Sequence, residues 1–267
     1  MTTLVTGATG NIGRRIVDQL LALGERDIRA LTVDPAKAKL PEGVTAVTGY
    51  LGKPATLPAA FEGVDRVYLA PMTETLDATV ELLREAGVRY VVALSGGAHW
   101  QEHADTVSAS GLTHTQLGPG EFAENFAEWA PLIAAGQPVR EPYPEATTAP
   151  IAMDDIARVA AALLAAPAEK HYGKMYDLTG PEALNRREIA QRIAEGAGVP
   201  VTYEQCSRAE AEERLRATMG DYAEWYLDLF AANEVIKQQA NTVVEDLTGT
   251  PPIGMAEWAR RNAELFR

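Results

Sequence analysis

Chemistry concentrates first in Leu4-Val-Thr-Gly7-Ala-Thr-Gly10-Asn-Ile-Gly13, where three glycines stand at intervals of three. This spacing suits a dinucleotide pyrophosphate. Gly7 would make a tight turn, Gly10 would let the backbone approach the phosphates, and Gly13 would let a helix pack closely on its strand, with N–H groups at the helix start facing the negative charge. Thr9, Asn11 and Ile12 complete the loop, and the pyrophosphate is expected over Gly10 to Ile12. A second group is Leu94-Ser-Gly-Gly-Ala-His-Trp-Gln-Glu-His103. Its Ser95, His99 and His103 can all transfer or relay protons: Ser95 and His99 are the catalytic candidates, and His103 is a candidate substrate contact. The sequence carries no Cys/His cluster, HExxH pattern, Gly-x-Ser-x-Gly or Walker loop, so no metal ligand is expected.

These groups need elements to position them. Leu4 and Val5 open a strand, and Ile12, Ile16, Val17, Leu20 and Leu21 recur at helical spacing until Gly24, a C-terminal helix stop. Further strands are expected at Ile28–Val33, Val44–Thr48, Val67–Ala70 and Tyr90–Leu94, with a helix from Leu76 to Ala86. Continuous apolar runs suit strands covered on both faces, so the fold class is α/β with a doubly wound parallel sheet. Beyond Gly118 the rhythm changes. Helices are expected over Glu121–Ala135, Ile156–Leu164, Arg186–Ala197, Arg208–Thr218 and a long Tyr222–Asp246, with Met175–Leu178 as the best remaining strand. The expected organisation is a dinucleotide-binding domain at 1–120 and a smaller, mostly helical substrate lobe at 121–267, with returning segments that make one folding unit.

The chain has 267 residues, 46% apolar, and a formal net charge of −13 from 24 Lys and Arg against 37 Asp and Glu. Such a surface repels phosphate backbones, so nucleic acid is not an expected partner. A single cysteine, Cys206, cannot pair within the chain. No apolar run is long enough to span a bilayer and no export signal opens the chain, so a cytoplasmic protein, monomer or homodimer, is expected.

Thr6-Gly-Ala-Thr-Gly-Asn-Ile-Gly13 resembles the opening of NmrA-like proteins, atypical short-chain dehydrogenase/reductases with a Rossmann fold. Ser110-Gly-Leu-Thr-His-Thr-Gln-Leu-Gly-Pro-Gly-Glu-Phe-Ala-Glu-Asn125, Met153-Asp-Asp-Ile-Ala157, Tyr176–Leu184 and Leu247–Pro252 are similar to later segments of the same family. The resemblance implies NAD(P) at the carboxyl ends of the strands and a substrate cleft between sheet and C-terminal lobe. It places Ala70, Pro71 and Met72 along the nicotinamide and its ribose, and Tyr50 where an acid commonly faces the adenine. It also sets Phe122, Asn125, Phe126 and Trp129, at spacings of three and four on one helix, beside the substrate. Trp225, farther along, could roof a flat aromatic ligand.

The departures shape the functional expectation. None of the nine tyrosines is followed four residues later by lysine, so the chain lacks the Tyr-x-x-x-Lys acid of many short-chain dehydrogenases. At the end of the second strand, Thr32 and Val33 replace both an NAD-type acid and an NADP-type arginine. Asp34 repels a 2′-phosphate if it turns inward, whereas Lys37 or Arg14 attracts one, and NAD is the expected preference. An oxidoreductase without a built-in acid should favour substrates whose reduction leaves no strongly basic alkoxide. The expected acceptor is therefore a quinone or polycyclic aromatic ketone, as in an aromatic polyketide tailoring reduction or oxygenation of secondary metabolism. The alternative is a non-catalytic NAD(P)-binding redox sensor acting through a protein partner.

Overall fold

The computed structural model describes residues 1–95 and 100–267. Along these residues the strands are β1 (Thr3–Val5), β2 (Ile28–Thr32), β3 (Val44–Thr48), β4 (Arg66–Leu69), β5 (Tyr90–Leu94), β6 (His114–Pro119), β7 (Val139–Glu141), β8 (Thr147–Thr148), β9 (Lys174–Leu178), β10 (Leu184–Asn185) and β11 (Tyr203–Gln205). The helices are α1 (Asn11–Ala22), α2 (Pro58–Phe61), α3 (Leu76–Glu85), α4 (Gln101–Ala109), α5 (Ala130–Ala134), α6 (Met153–Ala165), α7 (Arg186–Ala197), α8 (Arg208–Met219), α9 (Tyr222–Val235), α10 (Val243–Thr248) and α11 (Met255–Arg261). None of the described helices is long and apolar enough to cross a membrane.

Two compact units form. The first joins 1–119 with Met153–Leu178 and Val243–Thr250. It is built on a seven-stranded parallel sheet in the order β3-β2-β1-β4-β5-β6-β9. Every residue of β1, β4 and β5 is buried, as unbroken apolar runs require when helices cover both faces. On one face, Leu57 and Phe61 of the α2 region, Leu83 of α3 and Val107 of α4 pack with Leu4, Val67 and Val91. On the other, α1 and α6 lie together, joined by Arg15 Nε and Asp154 Oδ1 at 2.6 Å. β2 lies on one side of β1 and β4 on the other, so the strand order reverses at β1. The crevice beyond the strand ends at such a reversal is where doubly wound sheets take ligands.

The second unit comprises 120–152, 179–242 and 251–267. Its core gathers Phe126, Trp129, Ile133, Ile189, Ile193, Met255, Trp258 and Phe266. α7 starts with a capping box in which Asn185 accepts from the Glu188 N–H, and it lies tightly against α11. A Cβ at Gly196 would sit 2.0 Å from the Ala256 carbonyl oxygen.

Three expectations change. The division at residue 120 gives way to interleaved segments, because helix α6 with strand β9, and later α10, fall with residues 1–119. The helix expected from Glu121 is a 3-10 turn over Ala123–Trp129 followed by α5. Pro131 has no N–H with which to extend an α-helical ladder back through that turn. The long helix expected to Asp246 ends at Val235, because Gln238 leaves helical geometry and pairs with β8: its N–H donates to the Thr147 carbonyl at 3.2 Å, and its side-chain oxygen accepts from the Ala149 N–H at 3.0 Å.

Candidate functional site

At the turn from β1 into α1, Gly7 adopts φ +59°, a left-handed conformation that a side chain disfavours, and its carbonyl accepts the Gly10 N–H at 2.9 Å. Gly10 is the extended N-cap of α1, its side of the turn bare of any capping side chain. A Cβ on Gly13 would sit 2.2 Å from the Gly7 carbonyl oxygen, so only glycine allows the helix to approach this closely. No acid occupies the first turn of α1, and Gly7, Thr9, Gly10 and Asn11 are exposed, with Ile12 half-buried. A helix start with free N–H groups, no competing carboxylate and an open face fits a pyrophosphate. Thr6, which the sequence reading left unassigned, ties this turn to β4: its hydroxyl donates to the Tyr68 carbonyl at 2.9 Å and accepts the Ala70 N–H at 2.8 Å. Because the β1 and β4 ends are locked together, Ala70 stands next to the glycine turn, where a Cβ on Gly7 would meet its Cβ at 3.2 Å; Pro71 and Met72 follow it, and all three are half-buried.

At the end of β2, Thr32 is buried and its hydroxyl accepts the Asp34 N–H at 3.3 Å. Asp34 does not stand free. Its carboxylate caps a short 3-10 turn through the Ala36 N–H at 3.1 Å and pairs with Lys37 at 3.1 Å. Arg14 reaches the same stretch by donating to the Lys39 carbonyl at 2.8 Å. Two cations therefore stand near this strand end, each already paired with an acid: Lys37 with Asp34, and Arg14 with Asp18 at 3.3 Å. Tyr50 is exposed after β3, its ring so close to the Gly52 backbone that a Cβ there would lie 2.6 Å from Cε1.

Ser95 follows β5, its N–H donating to the Leu117 carbonyl at 2.8 Å. Its side chain is buried, with Oγ 2.9 Å from Nδ1 of His103. His103 was expected to meet substrate, but the ring is wholly buried in α4, where burial lowers its pKa and keeps it neutral. His99 lies outside the described residues. Of the tyrosines on β4 and β5, burial raises the pKa of Tyr68 and pushes Tyr90, at the start of its strand, up to about 12.

In the second unit, the expected stripe Phe122, Asn125, Phe126 and Trp129 does not form. A 3-10 turn repeats every three residues, so Ala123, Phe126 and Trp129 line up and bury, with Phe126 and Trp129 edge to face at 4.9 Å. Phe122 is half-buried and Asn125 exposed. On α9, Trp225 is exposed while Leu227 and Phe230 are buried. Sequence reasoning missed a charged cluster beneath that helix. Arg186 forks onto Glu121 at 3.0–3.1 Å, its guanidinium 3.8 Å over the Phe230 ring, while Trp129 donates to Glu141 at 3.0 Å. Burial pushes the Glu141 carboxyl up. No local pattern marks these partners, which are far apart in the chain.

A family described as NAD(P)H-binding matches residues 7–167. The (4-alkanoyl-5-oxo-2,5-dihydrofuran-3-yl)methyl phosphate reductase of Streptomyces griseus is 32% identical over 282 residues, covering 98% of each chain. The NAD(P)H azoreductase of Xenophilus azovorans is 32% identical over 286 residues, again covering 98% of each. Among solved structures, the NADPH-dependent quinone oxidoreductase of Escherichia coli complexed with NADPH superposes with a TM-score of 0.84 at 23% identity, over 98% of this chain and 99% of the other. NmrA, a negative transcriptional regulator in complex with NAD, gives 0.79 at 17% identity over 99% and 96%.

Proposed function

The chain belongs to the NAD(P)H-binding family and is an NAD(P)H-dependent oxidoreductase, and from that premise we propose that its acceptor is a quinone or a polycyclic aromatic ketone. When bound, the dinucleotide supplies hydride from its nicotinamide. Gly7, Thr9, Gly10, Asn11, Ile12 and Gly13 would hold the pyrophosphate, with the N–H groups at the start of α1 as donors and Gly10 allowing close approach, while Thr32 and Tyr50 would border the adenosine and Ala70, Pro71 and Met72 the nicotinamide ribose. NADPH is the proposed preference, in place of the NAD expected from sequence. The Asp34 carboxylate is turned to the Ala36 N–H and Lys37, so its charge is partly offset, and the exposed Lys37 and Arg14 are the cations proposed to receive a 2′-phosphate; the quinone oxidoreductase of the same fold was solved with NADPH.

The observation that carries the choice of acceptor is the lack, among the described residues, of a dedicated proton donor beside Ser95. Tyr68 and Tyr90 are made weaker acids by burial, and Ser95 is a neutral hydroxyl beside a neutral imidazole. Two-electron reduction of a quinone leaves a phenolate whose conjugate acid has a pKa of about 10, which water can protonate. A simple ketone leaves an alkoxide several units more basic, for which a positioned acid is worth about 10² to 10⁴ in rate. The task left to the protein is to orient and dehydrate the acceptor and to stabilise its oxygen by a hydrogen bond from Ser95. Phe126 and Trp129 belong to the core of the second unit, which removes them from the substrate contacts expected from sequence.

Single-turnover oxidation of NADPH and NADH by a panel of naphthoquinones, polycyclic ketones and simple ketones tests this. Quinones and polycyclic ketones should react fastest, with NADPH bound more tightly than NADH. Faster turnover of simple ketones would overturn the acceptor class. If no acceptor oxidises tightly bound NADPH, the redox-sensor alternative replaces the acceptor proposal, and a co-purifying protein partner should then be found.

A further inference from the structure

Ser95 and His103 form a pair whose polarity can be read from burial. The His103 ring has no exposed atom, and its Nδ1 lies 2.9 Å from Ser95 Oγ. Its Nε2 is buried and has no hydrogen-bond partner among the described residues. The Trp100 and His103 rings are nearly perpendicular with centroids 6.3 Å apart, and desolvation keeps the imidazole neutral with one proton to place. With that proton on Nε2, an N–H donor would be buried unpaired. With it on Nδ1, the unpaired group is a lone pair and the N–H donates to Ser95. Orphaned buried donors are the rarer and costlier of the two, so the Nδ1–H form is favoured.

The tautomer decides what Ser95 can do. An Oγ that accepts from His103 directs its own O–H proton elsewhere, and no other partner for it occurs among the described residues. A Ser95 that donated to Nδ1 would instead present only lone pairs. We propose that His103 is a positioning residue that holds its proton on Nδ1 and thereby fixes Ser95 as a hydrogen-bond donor to the oxygen of the acceptor. No proton leaves Ser95 in this arrangement: the hydrogen bond strengthens as negative charge builds on that oxygen, and water completes the protonation. The second half of the proposal rests on the oxidoreductase reading, whereas the tautomer does not.

Two measurements separate them. Long-range proton–nitrogen NMR on histidine-labelled, cofactor-free protein, with the His103 signals identified by their loss in His103→Asn, should show the proton on Nδ1; a proton on Nε2 overturns the proposal, whatever the enzyme reduces. In quinone turnover, Ser95→Ala and His103→Leu should each lower kcat by about tenfold to a hundredfold, and their double variant should fall no further. His103→Asn, which places an amide N–H near the site of Nδ1, should restore most of the rate at an unchanged melting point. Equal losses in His103→Asn and His103→Leu, or multiplying losses in the double variant, would show that His103 does not act through Ser95. Should His103→Leu fail to fold, the NMR result and His103→Asn still decide. Nδ1 protonation with no turnover of any acceptor by the parent protein would overturn the quinone reading and, with it, the role of Ser95 as donor to an acceptor oxygen.

Discussion

His103 is neutral because it is buried, and that has a price at low pH. Its folded pKa is lowered, so the stability it contributes is complete above the unfolded value of about 6.5 and is lost as pH falls through the folded value. Between pH 7.5 and 5.5 the parent should therefore lose more urea stability than His103→Asn, and subtracting the two removes what the other histidines contribute. Equal losses would mean that the ring charges without penalty. At the glycine turn, Gly13→Ala puts a methyl 2.2 Å from the Gly7 carbonyl, which is already held by the Gly10 N–H. Relief requires α1 to move off β1, at a cost of about 2 kcal/mol, which should appear as a melting point lower by on the order of 5 °C and a weakened NADPH affinity. An unchanged melting point would show that the turn yields freely.

Elements in this chain are set by their ends and by their closest approaches as much as by periodicity. α7 has a complete start in the Asn185–Glu188 capping box and a left-handed stop at Gly198, both local signals, and the sequence places it at the residues observed. Its packing is not local, since Gly196 faces the Ala256 carbonyl across to α11. Gly196→Ala should improve the intrinsic helix propensity of α7 yet destabilise the protein by about 1–3 kcal/mol, because the two helices must separate. A denaturation midpoint that rises in urea would refute this contact. The 3-10 turn at Ala123–Trp129 has the opposite character: its composition reads as an ordinary amphipathic helix, and only the burial of every third residue reveals its geometry.

Across the whole molecule, neither unit is continuous in sequence. The chain leaves the first at residue 119, returns for α6 and β9, leaves again, and returns for α10 before ending in the second. The edge strand of the sheet therefore arrives only after part of the second unit has been traversed. One cooperative urea transition is expected, with tryptophan fluorescence, to which Trp129, Trp225 and Trp258 of the second unit contribute, coinciding with the far-UV signal of the whole backbone. Separate midpoints would show that the units fold independently. The sequence by itself determined the parallel α/β class and the glycine turn from β1 into α1, because a glycine triplet between strand and helix and strands buried on both faces are written in neighbouring residues. The break at Gln238, the return of β9 to the sheet edge, the Ser95–His103 pair and the clasp of Arg186 on Glu121, 65 positions away, were decided only by the tertiary structure. Each depends on which distant groups exclude water together: a buried charge or imidazole finds its partner in space, whereas helical and strand periodicity records only neighbours within a turn or two.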